Sequence, residues 1–91
     1  MNEKILIVDD EREITDLISL YLRNENYTVY SFYDPIEACK LAKTEDLDLA
    51  ILDVMMPKMD GFKLCQEIRA EHNYPIIMLI AKDEEIDKIT G

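Results

Sequence analysis

Lys4-Ile5-Leu6-Ile7-Val8-Asp9-Asp10 and the later stretch Leu47-Asp48-Leu49-Ala50-Ile51-Leu52-Asp53-Val54 follow one plan: a short apolar run that arrives at acid. Continuous apolar runs of this length, rich in β-branched residues, fit strands buried on both faces of a parallel sheet. Between the two lie a helical pattern, a strand and a second helical pattern. From Glu13 to Arg23 the residues Ile14, Leu17, Ile18, Tyr21 and Leu22 recur at intervals of three and four, which predicts one apolar helix face, and Asn24 and Asn26 break the pattern. Tyr27 to Phe32 is aromatic and β-branched and reads as the second strand. Pro35 opens a helix carrying Ile36, Cys39 and Leu41 to about Thr44. Beyond Asp53, Asp60 is placed to cap a helix bearing Phe62, Leu64, Cys65 and Ile68, and Pro75 introduces a fourth strand, Ile76 to Ile80. Asp83 to Thr90 has a helical pattern with Ile86 and Ile89 on one side.

Strict alternation of strands and helices predicts an α/β fold of three layers, flavodoxin-like, with right-handed crossovers and a parallel sheet in the order 2-1-3-4. In such a sheet the ligand crevice lies beyond the carboxyl ends of the strands, where the order reverses, here between strands one and three. Asp9, Asp10 and Asp53 should therefore meet. Crowded carboxylates repel one another, and a hard cation among them makes full ionisation tolerable. Magnesium suits such oxygen ligands, and its octahedral shell keeps room for waters and phosphate oxygens. A single aspartate at a strand end is ordinarily a turn residue or a helix cap. Three converging on a switch point favour chemistry, and a carboxylate can attack phosphorus to form an acyl phosphate. Asp53 fits the acceptor role best, because it ends a central strand and precedes a short segment, Val54-Met55-Met56-Pro57, whose carbonyls could reach an ion.

Composition bounds the alternatives. Ninety-one residues with 48% hydrophobic content support one domain, and a formal charge of -10 disfavours direct binding to a nucleic-acid backbone. No apolar run is long enough for a transmembrane helix, and Met1 leads into charge rather than a secretory core, so the chain reads as cytoplasmic and without a membrane partner. Cys39 and Cys65 lack metal-type spacing and read as reduced core thiols. His72, the single histidine, has charged neighbours and reads as a solvent-facing residue. With glycine only at positions 61 and 91 there is no phosphate-cradling loop or dinucleotide fingerprint.

Ile5-Leu6-Ile7-Val8-Asp9-Asp10-Glu11, Asp53-Val54-Met55-Met56-Pro57, Met59-Asp60-Gly61 and Pro75-Ile76-Ile77-Met78-Leu79, in this order and spacing, together resemble response-regulator receiver domains. Finer likeness, at Leu20 to Val29, Asp48 to Asp53 and Asp87 to Gly91, is to vancomycin-resistance-type regulators of the winged-helix transcription-factor subfamily. The resemblance implies that Asp53 is the phosphoacceptor, that Asp10 ligates magnesium directly, that Asp9 acts mostly through water, and that the Met55 carbonyl completes the protein ligands. It implies a sensor histidine kinase as donor, a stoichiometric acceptor rather than a turnover enzyme, and a transcriptional output through a DNA-binding domain outside residues 1–91. At the end of the fourth strand the family carries a Ser or Thr that binds the phosphoryl group; this chain has Ile80, followed by Ala81, which matches the small residue expected. The family's fifth strand, phosphate-binding lysine, switch aromatic and last helix would fall beyond Gly91, so the chain reads as a receiver domain shortened at its C-terminus, with an apolar fourth-strand edge that invites self-association. Two other classes compete. A haloacid-dehalogenase-type hydrolase wants a second Asp two residues after the nucleophile, where Met55 stands. A non-phosphorylatable interaction module of the same fold is favoured by Ile80 and opposed by the acidic trio.

Overall fold

The computed structural model describes residues 2–80, and within them strands and helices alternate without exception. β1 is Lys4–Val8, α1 Arg12–Asn24, β2 Thr28–Phe32, α2 Pro35–Thr44, β3 Leu49–Asp53, α3 Gly61–Arg69 and β4 Ile76–Leu79. The four strands form one parallel sheet in the order β2-β1-β3-β4. The sequence reading of the fold holds, with strand ends trimmed by one or two residues. The helical pattern over Asp83 to Thr90, and Ala81, lie outside the described residues.

Alternation along the strands divides the core in two. Leu6 and Val8 of β1 and Ala50 and Leu52 of β3 point toward α2 and α3, where Ala38, Cys39, Ala42, Leu64 and Ile68 close over them. Burying a Leu or Ile fully contributes about 1.5–3 kcal/mol relative to exposure, so this layer supplies much of the driving force. Small residues in α2 let that helix lie close to the sheet, and Asp34 and Asp60 cap α2 and α3 by accepting from the N–H groups of Ile36 and Lys63, at 2.9 and 2.8 Å.

α1 covers the opposite face, and here the sequence reading needs correction. Of the apolar stripe expected to be buried, Leu17 and Tyr21 are 54% and 65% exposed, whereas Thr15 and Ser19 are buried and Ile14, Ile18 and Leu22 half-buried. The buried face is rotated toward two small polar residues because they let the helix approach the sheet closely. Thr15 satisfies its hydroxyl by donating to the Asp9 carbonyl oxygen at 2.7 Å. That contact ties α1 to the end of β1, where the acids begin.

Candidate functional site

Each acid is positioned by a different local device. Asp9 follows the last residue of β1; its N–H donates to the Phe32 carbonyl at 3.2 Å, so the ladder to β2 extends to the site. Its carboxylate accepts from the Glu11 N–H at 2.9 Å, closing a tight turn that swings the chain into α1. Asp10 stands at the top of that turn and is exposed. Asp53 is the last residue of β3, in register with Leu79 of β4, and the Val54 N–H donates to the Leu79 carbonyl at 2.9 Å. The Met55 N–H reaches back to Asp53 Oδ1 at 3.3 Å.

One oxygen from each of Asp9, Asp10 and Asp53 lies within 4.8 Å of the other two. Asp9 and Asp53 are only 3% and 8% exposed. The Asp53 carboxyl is pushed up to about 7 from an ordinary value of 3.8, first by burial and then by the charge of Asp9, with the Met55 N–H pulling in the other direction. A carboxylate this uncomfortable is one that a cation would relieve. The donor set is wholly oxygen and its spacing leaves room for one octahedral ion with water in the remaining positions, so the residues fit magnesium chemically.

In the sequence Gly61 is only part of the Met59-Asp60-Gly61 motif; the structure gives it a physical task. A Cβ there would collide with the Asp53 carbonyl oxygen and lie 2.9 Å from the carbonyl carbon and from Met78 Cε. Its N–H donates to the Val54 carbonyl at 2.9 Å, which seats the start of α3 directly behind Asp53. Thr15, likewise, was not singled out from sequence; a polar residue on the inner side of a helix is the signal that would have found it.

The remaining candidates divide. Met55 lies in the loop after Asp53 with its side chain 48% exposed, while Met56 turns into the core. Ile80 directly follows β4 and is 56% exposed, so an apolar side chain stands at the position for which the resemblance implies a hydroxyl. His72 is far in chain topology from the acids and is half-buried rather than solvent-facing: its Nε2 lies 3.3 Å from the Lys43 carbonyl and its ring packs 5.5 Å from that of Tyr74. Cys39 is buried and Cys65 half-buried, both as free thiols. No helix among the described residues is long and apolar enough to cross a membrane.

A parallel 2-1-3-4 sheet with an acidic trio at its switch point defines a class, and comparison with known proteins agrees. The family described as response regulator receiver domain matches residues 5–91, and the chain belongs to that family. It is 58% identical over 91 residues to regulatory protein VanR of Enterococcus faecium, and it spans 39% of that protein's length. Among solved structures, the receiver domain of a Pseudomonas aeruginosa sensor histidine kinase, with magnesium coordinated in its active-site cleft, superposes with a TM-score of 0.83 at 32% identity, covering 98% of this chain and 75% of that one. The Thermotoga maritima response regulator TrrA, in complex with magnesium and beryllium fluoride, gives 0.81 at 32% identity, covering 97% and 77%.

Proposed function

We propose that Asp53 accepts a phosphoryl group in the presence of magnesium, with Asp9, Asp10, Asp53 and the Met55 carbonyl as the protein's contribution to the metal site. The observation that carries this reading is the convergence of three carboxylates at the carboxyl ends of β1 and β3, two of them buried. When bound, magnesium supplies positive charge opposite the phosphoryl oxygens. The chain supplies the rest. An ionised Asp53 oxygen attacks phosphorus, the bond from phosphorus to the donor atom breaks, and the leaving group departs with the electron pair. Asp9 holds its place through the Glu11 N–H, and the Met55 N–H bears on the Asp53 oxygen and restrains its rotation. The chain is a stoichiometric acceptor, and its donor is the phosphohistidine of a sensor kinase.

The longer protein would act on transcription through a DNA-binding domain, in the cytoplasm, with residues 1–91 as its receiver domain. We also read Ile80 and Ala81 as the positions on the phosphoryl-binding side of the site; the Ile80 side chain offers no hydrogen bond, and this favours a second reading in which the fold serves as a docking module that is not switched by phosphate. Self-association through the outer edge of β4 is supported by the pairing of that strand on one side only, to β3, among the described residues. Light scattering over a range of concentrations tests it, and a constant monomer mass refutes it.

Intact mass after incubation with acetyl phosphate and magnesium tests the main reading, with Asp53→Ala as control. A gain of one phosphoryl group that needs both magnesium and Asp53 is expected. No gain, with magnesium still bound in calorimetry, would leave the docking module as the function.

A further inference from the structure

The acids do not stand alone at the carboxyl end of the sheet. Asp10, Arg12, Tyr33, Asp34, Pro35, Pro57 and Lys58 line a hollow beside them, and a second hollow is also lined by Asp10 and Arg12. Within the first, Lys58 is already paired with Asp34 at 3.4 Å. Arg12 makes no ion pair among the described residues. Its guanidinium carbon instead lies 4.4 Å from the centre of the Tyr33 ring, and the Tyr33 hydroxyl donates to Asp16 Oδ1 at 2.6 Å, which holds the ring as a platform. Stacking keeps a full positive charge at the mouth of the acidic site without committing it to Asp10.

Charge arithmetic gives that placement a use. Three carboxylates and one divalent ion leave a single net negative charge, which would repel an anionic donor on a chain whose formal charge is already -10. One guanidinium offsets that single charge and is the cation facing Glu11 and Glu13 in the second hollow as well. We propose that Arg12, held on the Tyr33 ring, is a donor-specificity residue that captures dianionic acyl phosphates at the site, leaving the metal ligands free. The inference rests on Asp53 being the phosphoacceptor. The reaction it assists forms a bond between an Asp53 oxygen and phosphorus and breaks the bond from phosphorus to the acyl oxygen, releasing a carboxylate that carries the electron pair, with no proton transferred.

The test has a binding arm and a kinetic arm on wild type, Arg12→Gln, Arg12→Lys and Tyr33→Leu. Acetonylphosphonate, an unreactive analogue, is titrated by NMR in magnesium at low salt; Arg12→Gln should weaken it roughly three- to tenfold, the size of a single charge acting across several ångströms of solvated surface. Arg12→Lys should retain most of the affinity, Tyr33→Leu should lose part of it, and the Arg12→Gln deficit should shrink at high salt. Phosphorylation by acetyl phosphate should slow in parallel, and phosphorylation by phosphoramidate, which carries less net negative charge, should slow less. Magnesium should bind somewhat more tightly to Arg12→Gln, because a repelling charge next to Asp10 is removed, and Tm should change little. If wild type takes no phosphoryl group on Asp53, the parent reading fails. If wild type is phosphorylated and Arg12→Gln binds the analogue equally well, or loses both donors equally, the assignment of Arg12 is overturned.

Discussion

The two ends of the parallel sheet treat acidic side chains in opposite ways. At the amino end, where α2 and α3 finish, Glu67 meets Lys43 at 2.9 Å and Lys63 at 3.5 Å, and these cations hold its carboxyl below the usual range. Lys4 meets Glu45 at 3.4 Å, and the Lys4 N–H donates to Asp48 at 2.7 Å. At the carboxyl end, Asp9 and Asp53 are buried side by side and make no ion pair among the described residues, and Asp53 is pushed up to about 7. Acids at the first end are surface groups neutralised in place. Those at the second are crowded and partly buried, an arrangement that costs stability when all of them are ionised and that is common at functional sites.

Four experiments would break or sharpen this contrast. The largest effect is expected from Gly61→Val, which forces side-chain atoms against the Asp53 backbone; a loss of about 3 kcal/mol, at the upper end for overpacking, should appear in urea unfolding. A tolerated substitution would mean that α3 does not brace the acid.

Next is Asp53→Asn in metal-free buffer near pH 8. Because Asp53 holds its proton more tightly in the folded chain than in the unfolded one, its contribution to stability is full below about pH 4 and is lost as the pH rises through about 7. Wild type should therefore lose stability across that window, and the asparagine variant should gain at least about 1 kcal/mol over it at high pH, several degrees in Tm. Saturating magnesium should flatten the wild-type profile by stabilising the ionised trio. An unchanged profile in Asp53→Asn would show that the acid is not under strain.

Asp60→Ala, which removes the cap of α3 next to the site, should cost about 1 kcal/mol. The smallest change belongs to the amino end: Glu67→Gln should barely move the unfolding midpoint, and even that shift should vanish in high salt. If Glu67→Gln matched the effect of Asp53→Asn in size, the distinction between neutralised and strained acids would collapse.

Much of this molecule was legible in the residues. The strands at Lys4–Val8 and Leu49–Asp53 are apolar on both faces, and only a central parallel strand wants that; helices between them then force crossovers of one hand, and the order of the sheet follows. With the order known, Asp9, Asp10 and Asp53 had to share an end. Two terminal acids are a local pattern, and a fixed topology converts a local pattern into a place.

Tertiary structure decided what depends on close approach. Periodicity could not say that α1 buries Thr15 and Ser19 while Leu17 and Tyr21 face outward, because the buried stripe is chosen by how near a helix can come to the sheet. It could not say that Gly61 touches the Asp53 backbone, that His72 packs on Tyr74, or that Arg12 stacks on Tyr33. Sequence determined the strand pattern and the convergence of acids because hydrophobic period and chain connectivity are local and topological. The environment of each acid, which of them is strained and which cation stands nearby, was settled only by packing in three dimensions, since burial and charge separation belong to neighbours that the chain order does not name.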